Sequence, residues 1–200
     1  MEFFAQFFST CIKLLALMTP PAVLSAYISG TSGYTRSEKR RTALRTGLAV
    51  FVTGLLLFFF GENIFNLFGF TLDAFRIGAG CLLFLSATSL MNDKPQSPQH
   101  IDANADISVV PLTIPLCMGP ASIGAVMIMG ASCTSFEERL VGAAALFVAA
   151  SCITLMLLMA TKLERVLRKT GLAVLAKLTG LILAAIAAQV IFTGLKAFLR

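Results

Sequence analysis

Met18-Thr19-Pro20-Pro21-Ala22, inside the first apolar run of the chain, is answered one hundred residues later by Met118-Gly119-Pro120-Ala121-Ser122. A proline inside a helix lacks an amide donor and disturbs the turn near residue i−4, so each stretch strips backbone carbonyls of their partners. In hydrocarbon an unpaired backbone group costs several kcal/mol, so such breaks persist only where they face protein or a polar cavity. Pro111 and Pro115 add to the second break. The two stretches therefore predict two membrane helices broken near their middles, each offering half-helix ends to a common interior.

The composition around them leaves little else. The 200 residues are 57% hydrophobic and 13% charged, with a mean hydropathy of +0.85. Soluble domains run about 45–50% apolar and about 25% charged. A span needs roughly 20 apolar residues, so the chain holds at most about six, with no room for a soluble catalytic domain. Apolar runs at 3–29, 43–61, 71–91, 107–130, 139–161 and 172–198 supply them. Thr35-Arg36-Ser37-Glu38 has the spacing of a helix-capping box, which starts the second helix in the basic loop ahead of its apolar run.

Of the 16 Lys and Arg, eleven fall in the connections after runs one, three and five, at 36–45, Lys94 and 162–177. Lys13, Arg76, Arg139, Lys196 and Arg200 lie on the other side. The positive-inside rule then sets the odd-numbered connections in the cytoplasm and both termini outside. The net charge of +6 meets lipid headgroups rather than nucleic acid. Cys11, Cys81, Cys117, Cys133 and Cys152 are odd in number and lack metal-ligand spacing, so they read as small packing residues. The stretch 92–100, polar and proline-bearing, holds His100 and reads as part of a mobile cytoplasmic linker.

The two halves are alike beyond the prolines. Gly47 and Phe51-Val52 match Gly142 and Phe147-Val148, and Arg76-Ile77-Gly78 after Gly69 matches Lys177-Leu178-Thr179-Gly180 after Gly171. Three spans are an odd number, so the second copy enters the bilayer from the opposite face. The expected fold is an all-α polytopic membrane protein of six transmembrane helices in two inverted three-helix repeats, with helices 1 and 4 broken near the midplane. Residues 1–95 and 106–200 are the repeats, and 96–105 the linker.

Thr19, Pro20, Pro21 and Ser25 in the first break face Thr113, Gly119, Pro120, Ala121 and Ser122 in the second as candidate substrate-binding residues. Half-helix ends offer amides on one side and carbonyls on the other, which suits a small zwitterion. Neither break holds an acidic side chain, so a permanently cationic solute would lack a counter-ion. Gln189, deep in the sixth run, either lines that cavity or hydrogen-bonds across helices. Arg76 and Lys177 either snorkel to headgroups or gate the halves, and Asp106 either caps the fourth helix or takes part in proton coupling or gating. Gly47, Gly54 and Gly61, and Gly180, Ala184 and Ala188, form small-residue stripes for close helix packing.

On these residues the sequence resembles the MarC family of six-span bacterial membrane proteins. The run from Asp106 through Val109-Val110-Pro111-Leu112-Thr113-Ile114-Pro115-Leu116 to Gly119-Pro120 is similar to the family's D-I-A-V-V-P-L-A-I-P-L…G-P-G. Phe75-Arg76-Ile77-Gly78-Ala79-Gly80 and 180–189 resemble its third and sixth helices. Where the family usually has N-P-I-G-x-x-P, this chain has Thr19-Pro20-Pro21-Ala22-Val23-Leu24-Ser25, and G-P-G becomes Gly119-Pro120-Ala121. The resemblance implies a secondary transporter or exchanger of small neutral amino acids, or similar neutral solutes, in the bacterial inner membrane. The alternatives are a channel, a non-transporting membrane partner or an intramembrane enzyme, the last disfavoured because no nucleophile, base and metal-ligand set converges in the spans. No cofactor is implied; Na⁺ or H⁺ is the candidate coupling ion, and the oligomeric state is open.

Overall fold

The computed structural model describes residues 2–69, 71–92 and 112–199, and among these every regular element is helical. The linker 96–105 and Asp106 lie outside the described residues. Helix α1 (Glu2–Leu17) and helix α2 (Pro20–Gly30) meet at a 45° bend. Then come α3 (Arg36–Phe68), α4 (Leu72–Met91), a distorted helical turn at Leu112–Cys117, α5 (Pro120–Ala131), α6 (Phe136–Leu158) and α7 (Ala160–Phe198). Four helices are long and apolar enough to cross a membrane, and α1 with α2 makes a fifth candidate if the bent pair is one span. The apolar run expected at 107–130 is represented by the distorted turn and the short apolar α5.

Helix ends follow local chemistry. The Thr35 N–H donates to the Glu38 carboxylate at 2.7 Å and the Glu38 N–H to the Thr35 hydroxyl at 3.4 Å, so α3 begins in the basic loop as its capping box predicts. Ser135 and Glu138 form the same box on α6. Helix α7 departs from expectation: the connection ahead of run six is itself helical from Ala160. Eight of residues 160–169 are Ala, Lys, Leu, Glu or Arg, and none is glycine or proline. Such residues favour helix whether or not they enter hydrocarbon, and hydropathy registers only the part that does.

The bundle is apolar outside and small-residued within. Leu44, Leu48, Val52, Leu56 and Phe60, four residues apart on α3, are 45–64% exposed, a continuous apolar stripe that only lipid would tolerate. On the other side, Gly47 and Gly54 face Thr154 and Leu146 of α6, whose Gly142 faces Phe58, so the two helices run antiparallel. Gly61 of the same stripe faces Met127 of α5 instead.

Helices α4 and α7 are also antiparallel: Gly80 faces Ile191 and Ala187, Gly180 faces Ala87 and Met91, and Gly194 faces Asp73 and Ile77. The seam on α7 is thus Gly180, Leu183, Ala187 and Gly194, all buried, while Ala184 and Ala188 are half-buried. This corrects the stripe expected at Gly180, Ala184 and Ala188: the α4 contact follows a mix of three- and four-residue steps that a fixed four-residue spacing misses. Cys11 and Cys117 pack in the core, whereas Cys81 and Cys152 are exposed.

Candidate functional site

Both breaks reach into the protein interior, where Met18 and Met118 are only 1% and 0% exposed. Their geometry follows from the prolines. In an unbroken helix the Leu17 carbonyl would accept from residue 21 and the Leu116 carbonyl from residue 120. Both positions are proline, so both carbonyls lose their donors.

Each is capped instead by the other break. The Ser122 hydroxyl donates to the Leu17 carbonyl at 2.7 Å, and the Thr19 hydroxyl donates to the Leu116 carbonyl at 3.3 Å. The two broken segments therefore repair one another across about one hundred residues of sequence. Ser122 is buried, where an unpaired carbonyl opposite it would cost about 1–3 kcal/mol.

The local paths through the breaks differ. Thr19 takes the left-handed conformation, φ 44° and ψ 61°, which a β-branched residue adopts only when its surroundings impose it. In the second break Ile114 is extended, φ −120° and ψ 122°, as the residue before a proline prefers. The Met118 N–H then reaches back five residues to the Thr113 carbonyl at 2.8 Å, a widened turn.

The expectation that the half-helix ends offer amides on one side and carbonyls on the other needs correction, since the Leu17 and Leu116 carbonyls are capped and the amides at the start of α2 are not free. Pro20 and Pro21 have no N–H, and the amides of Ala22 and Val23 both donate to the Thr19 carbonyl, at 3.0 and 3.2 Å. Helix α5 starts with a single proline, so Ala121 and Ser122, both buried, retain N–H groups in its first turn.

Two cavities flank the crossing. One of about 300 Å³ is lined by Pro21, Ala22, Ser25, Leu172, Ala173 and Ala176. The other, about 400 Å³, is bounded by Leu17 and Lys13 of α1, Arg76 of α4, residues of α5, Ser132, and Gln189 with its neighbours on α7. From Ala176 to Ile186 along α7 is about 15 Å at 1.5 Å per residue, so the cavities lie toward opposite ends of the bundle.

The expected site residues divide accordingly. Pro21 and Ser25 line the first cavity and Gln189 and Arg76 the second. Thr19, Pro20 and Gly119 are half-buried at the junction, Thr113, Ala121 and Ser122 are buried in it, and Pro120 is exposed. Gln189 lines its cavity and makes no cross-helix side-chain hydrogen bond among the described residues. Arg76 bridges two helices: it donates to Asp73 at 2.7 Å and to the Ser132 hydroxyl, just past α5, at 2.9 Å. Lys177 is exposed on α7 and is not among the lining residues of either cavity. Lys13 was missed as a site residue; the available signal was a cation within the apolar stretch of α1, four residues before Leu17.

An all-helical bundle with a lipid-compatible exterior and several candidate spans is a multi-pass integral membrane protein. Residues 4–199 match the family model described as "MarC family integral membrane protein", and the chain belongs to that family. It is 32% identical to the membrane protein YhcE of Escherichia coli (strain K12), over 96% of this chain and 93% of that one. Identity to a membrane protein of Aquifex aeolicus is 31%, covering 100% and 96%, and to YvbG of Bacillus subtilis 33%, covering 92% of each. No solved structure matches.

Proposed function

We propose that the protein is a secondary transporter or exchanger of small neutral amino acids, or similar small neutral solutes, in the bacterial inner membrane. On this reading it has six spans in two inverted three-helix repeats, 1–95 and 106–200, with both termini outside the cytoplasm. The observation that supports it is the reciprocal capping of Leu17 by Ser122 and of Leu116 by Thr19, with one cavity toward each end of the bundle. Broken helices that meet near the bilayer midplane are how many inverted-repeat transporters build a solute site. Rocking one repeat against the other would deepen one cavity and close the other. Each repeat holds one of the two caps, so the same two hydrogen bonds would make and break as access alternates.

A channel is the second reading, favoured only by the two cavities sharing one line along α7, since broken backbone also builds pores. The test is exchange of radiolabelled glycine, L-alanine and L-serine by purified protein in liposomes, with imposed Na⁺ or H⁺ gradients. Saturable, gradient-sensitive counterflow is expected. Flux that never saturates supports the channel, and no flux across a broad solute panel defeats both readings.

A further inference from the structure

The larger cavity carries a charge pattern that the crossing of the breaks does not use. Lys13, which like Gln189 is exposed, lines it from a helix whose Gln6–Leu17 stretch belongs to a candidate membrane span. An ionisable residue within a span is costly and marks a functional site by default. Among the described residues no carboxylate lies within ion-pair distance of Lys13, whereas Arg76 is paired with Asp73. One positive charge is left over.

The hydroxyls nearby have already spent their protons: Ser132 donates to the Ile128 carbonyl and Thr193 to the Gln189 carbonyl, each at 2.7 Å. The lining groups still able to donate are the Lys13 ammonium, the remaining N–H groups of Arg76 and the Gln189 amide. A cavity with one excess positive charge and a surplus of donors matches a singly charged oxyanion, and a carboxylate takes two such donors at once. A dianion would overcompensate it.

We propose that this cavity binds the carboxylate of the solute, held by Lys13 with help from Arg76 and Gln189. That the bound carboxylate belongs to a transported molecule rests on the transport reading above; the binding itself does not. A lipid phosphate has the same single charge, so the experiment separates the two sources.

Full-length protein in phosphatidylcholine nanodiscs is titrated with acetate, glycine, L-alanine and L-alaninamide, followed by saturation-transfer NMR and thermal shift. Acetate and at least one amino acid should bind and compete with each other, and alaninamide should not. Lys13→Met should weaken binding by about 10- to 100-fold, the usual effect of losing a charge-assisted hydrogen bond; Lys13→Arg should restore most of it. Gln189→Leu should weaken it less, and serves should Lys13→Met fail to fold.

Equal binding of alaninamide, an unchanged affinity in Lys13→Met or, should that variant not fold, in Gln189→Leu, or no binding by any probe overturns the proposal. Carboxylate binding that phosphatidylglycerol discs abolish through Lys13 assigns the site to a headgroup and overturns it equally. Lys13-dependent carboxylate binding without counterflow in liposomes would instead remove the transport reading and leave the site standing.

Discussion

The two breaks face the same chemical problem and reach it by different paths. The first is short: one residue, Thr19, turns left-handed between α1 and α2, and the hydroxyl at that hinge reaches across to Leu116. The second is drawn out from Ile114 to Gly119, and its hydroxyl comes from Ser122, after the proline. Their surroundings differ as well. Gly130 of α5 presses on the Phe58 backbone carbonyl of α3 and Gly124 on Ala79 of α4, so the arm after the second break is clamped on two sides. The arm after the first, α2, has its main contact with α7 and borders an open cavity. One arm is tightly packed and the other borders open space, an asymmetry that the proposed alternation of access would use.

The largest break in that comparison comes from the clamp. Gly130→Val would drive a side chain into backbone rather than into a yielding side chain. A loss of about 1–3 kcal/mol, the usual cost of overpacking, should show as a lowered Tm and aggregation in detergent. Next is Pro21→Ala with Pro120→Ala, which returns donors to Leu17 and Leu116 and makes the cross-caps redundant. The protein should insert and elute as a single species but lose at least about 90% of counterflow, a barrier change of roughly 1.4 kcal/mol or more. Wild-type exchange would mean that both breaks are only kinks.

Ser122→Ala leaves the buried Leu17 carbonyl unpaired and should cost about 1–3 kcal/mol of stability. Thr19→Gly should cost less, within about 1 kcal/mol of wild type, because relief of the left-handed strain offsets loss of the longer 3.3 Å bond. If the two variants fall equally, the hinge at Thr19 stores no strain and the contrast between the breaks narrows. The smallest effect belongs to Lys177→Gln, an exposed position. Exchange should stay within about twofold of wild type, as for surface substitutions generally; a larger loss would restore its gating role.

Much of this was legible in the residues. Pro20-Pro21 and Pro120 mark the breaks because a missing N–H is a property of the residue, whatever surrounds it. Thr35 and Glu38 start α3 for an equally local reason, and the apolar runs follow from the cost of leaving backbone polar groups in lipid. Other features were hidden because they depend on registry between distant helices. Ser122 looked like a cavity hydroxyl until its 2.7 Å bond to Leu17 gave it a structural task. Lys13 looked like one of five charges on the sparse side until the fold set it, still exposed, beside a cavity lined by α4, α5 and α7.

The sequence by itself determined that this chain is built for a membrane, which runs are apolar, and which carbonyls its prolines would orphan, since all of these depend on hydropathy and on single-residue donors. Only the tertiary structure decided which hydroxyl answers which carbonyl. A cap across one hundred residues of sequence exists only once two helices are packed at one depth, and no local pattern encodes that meeting.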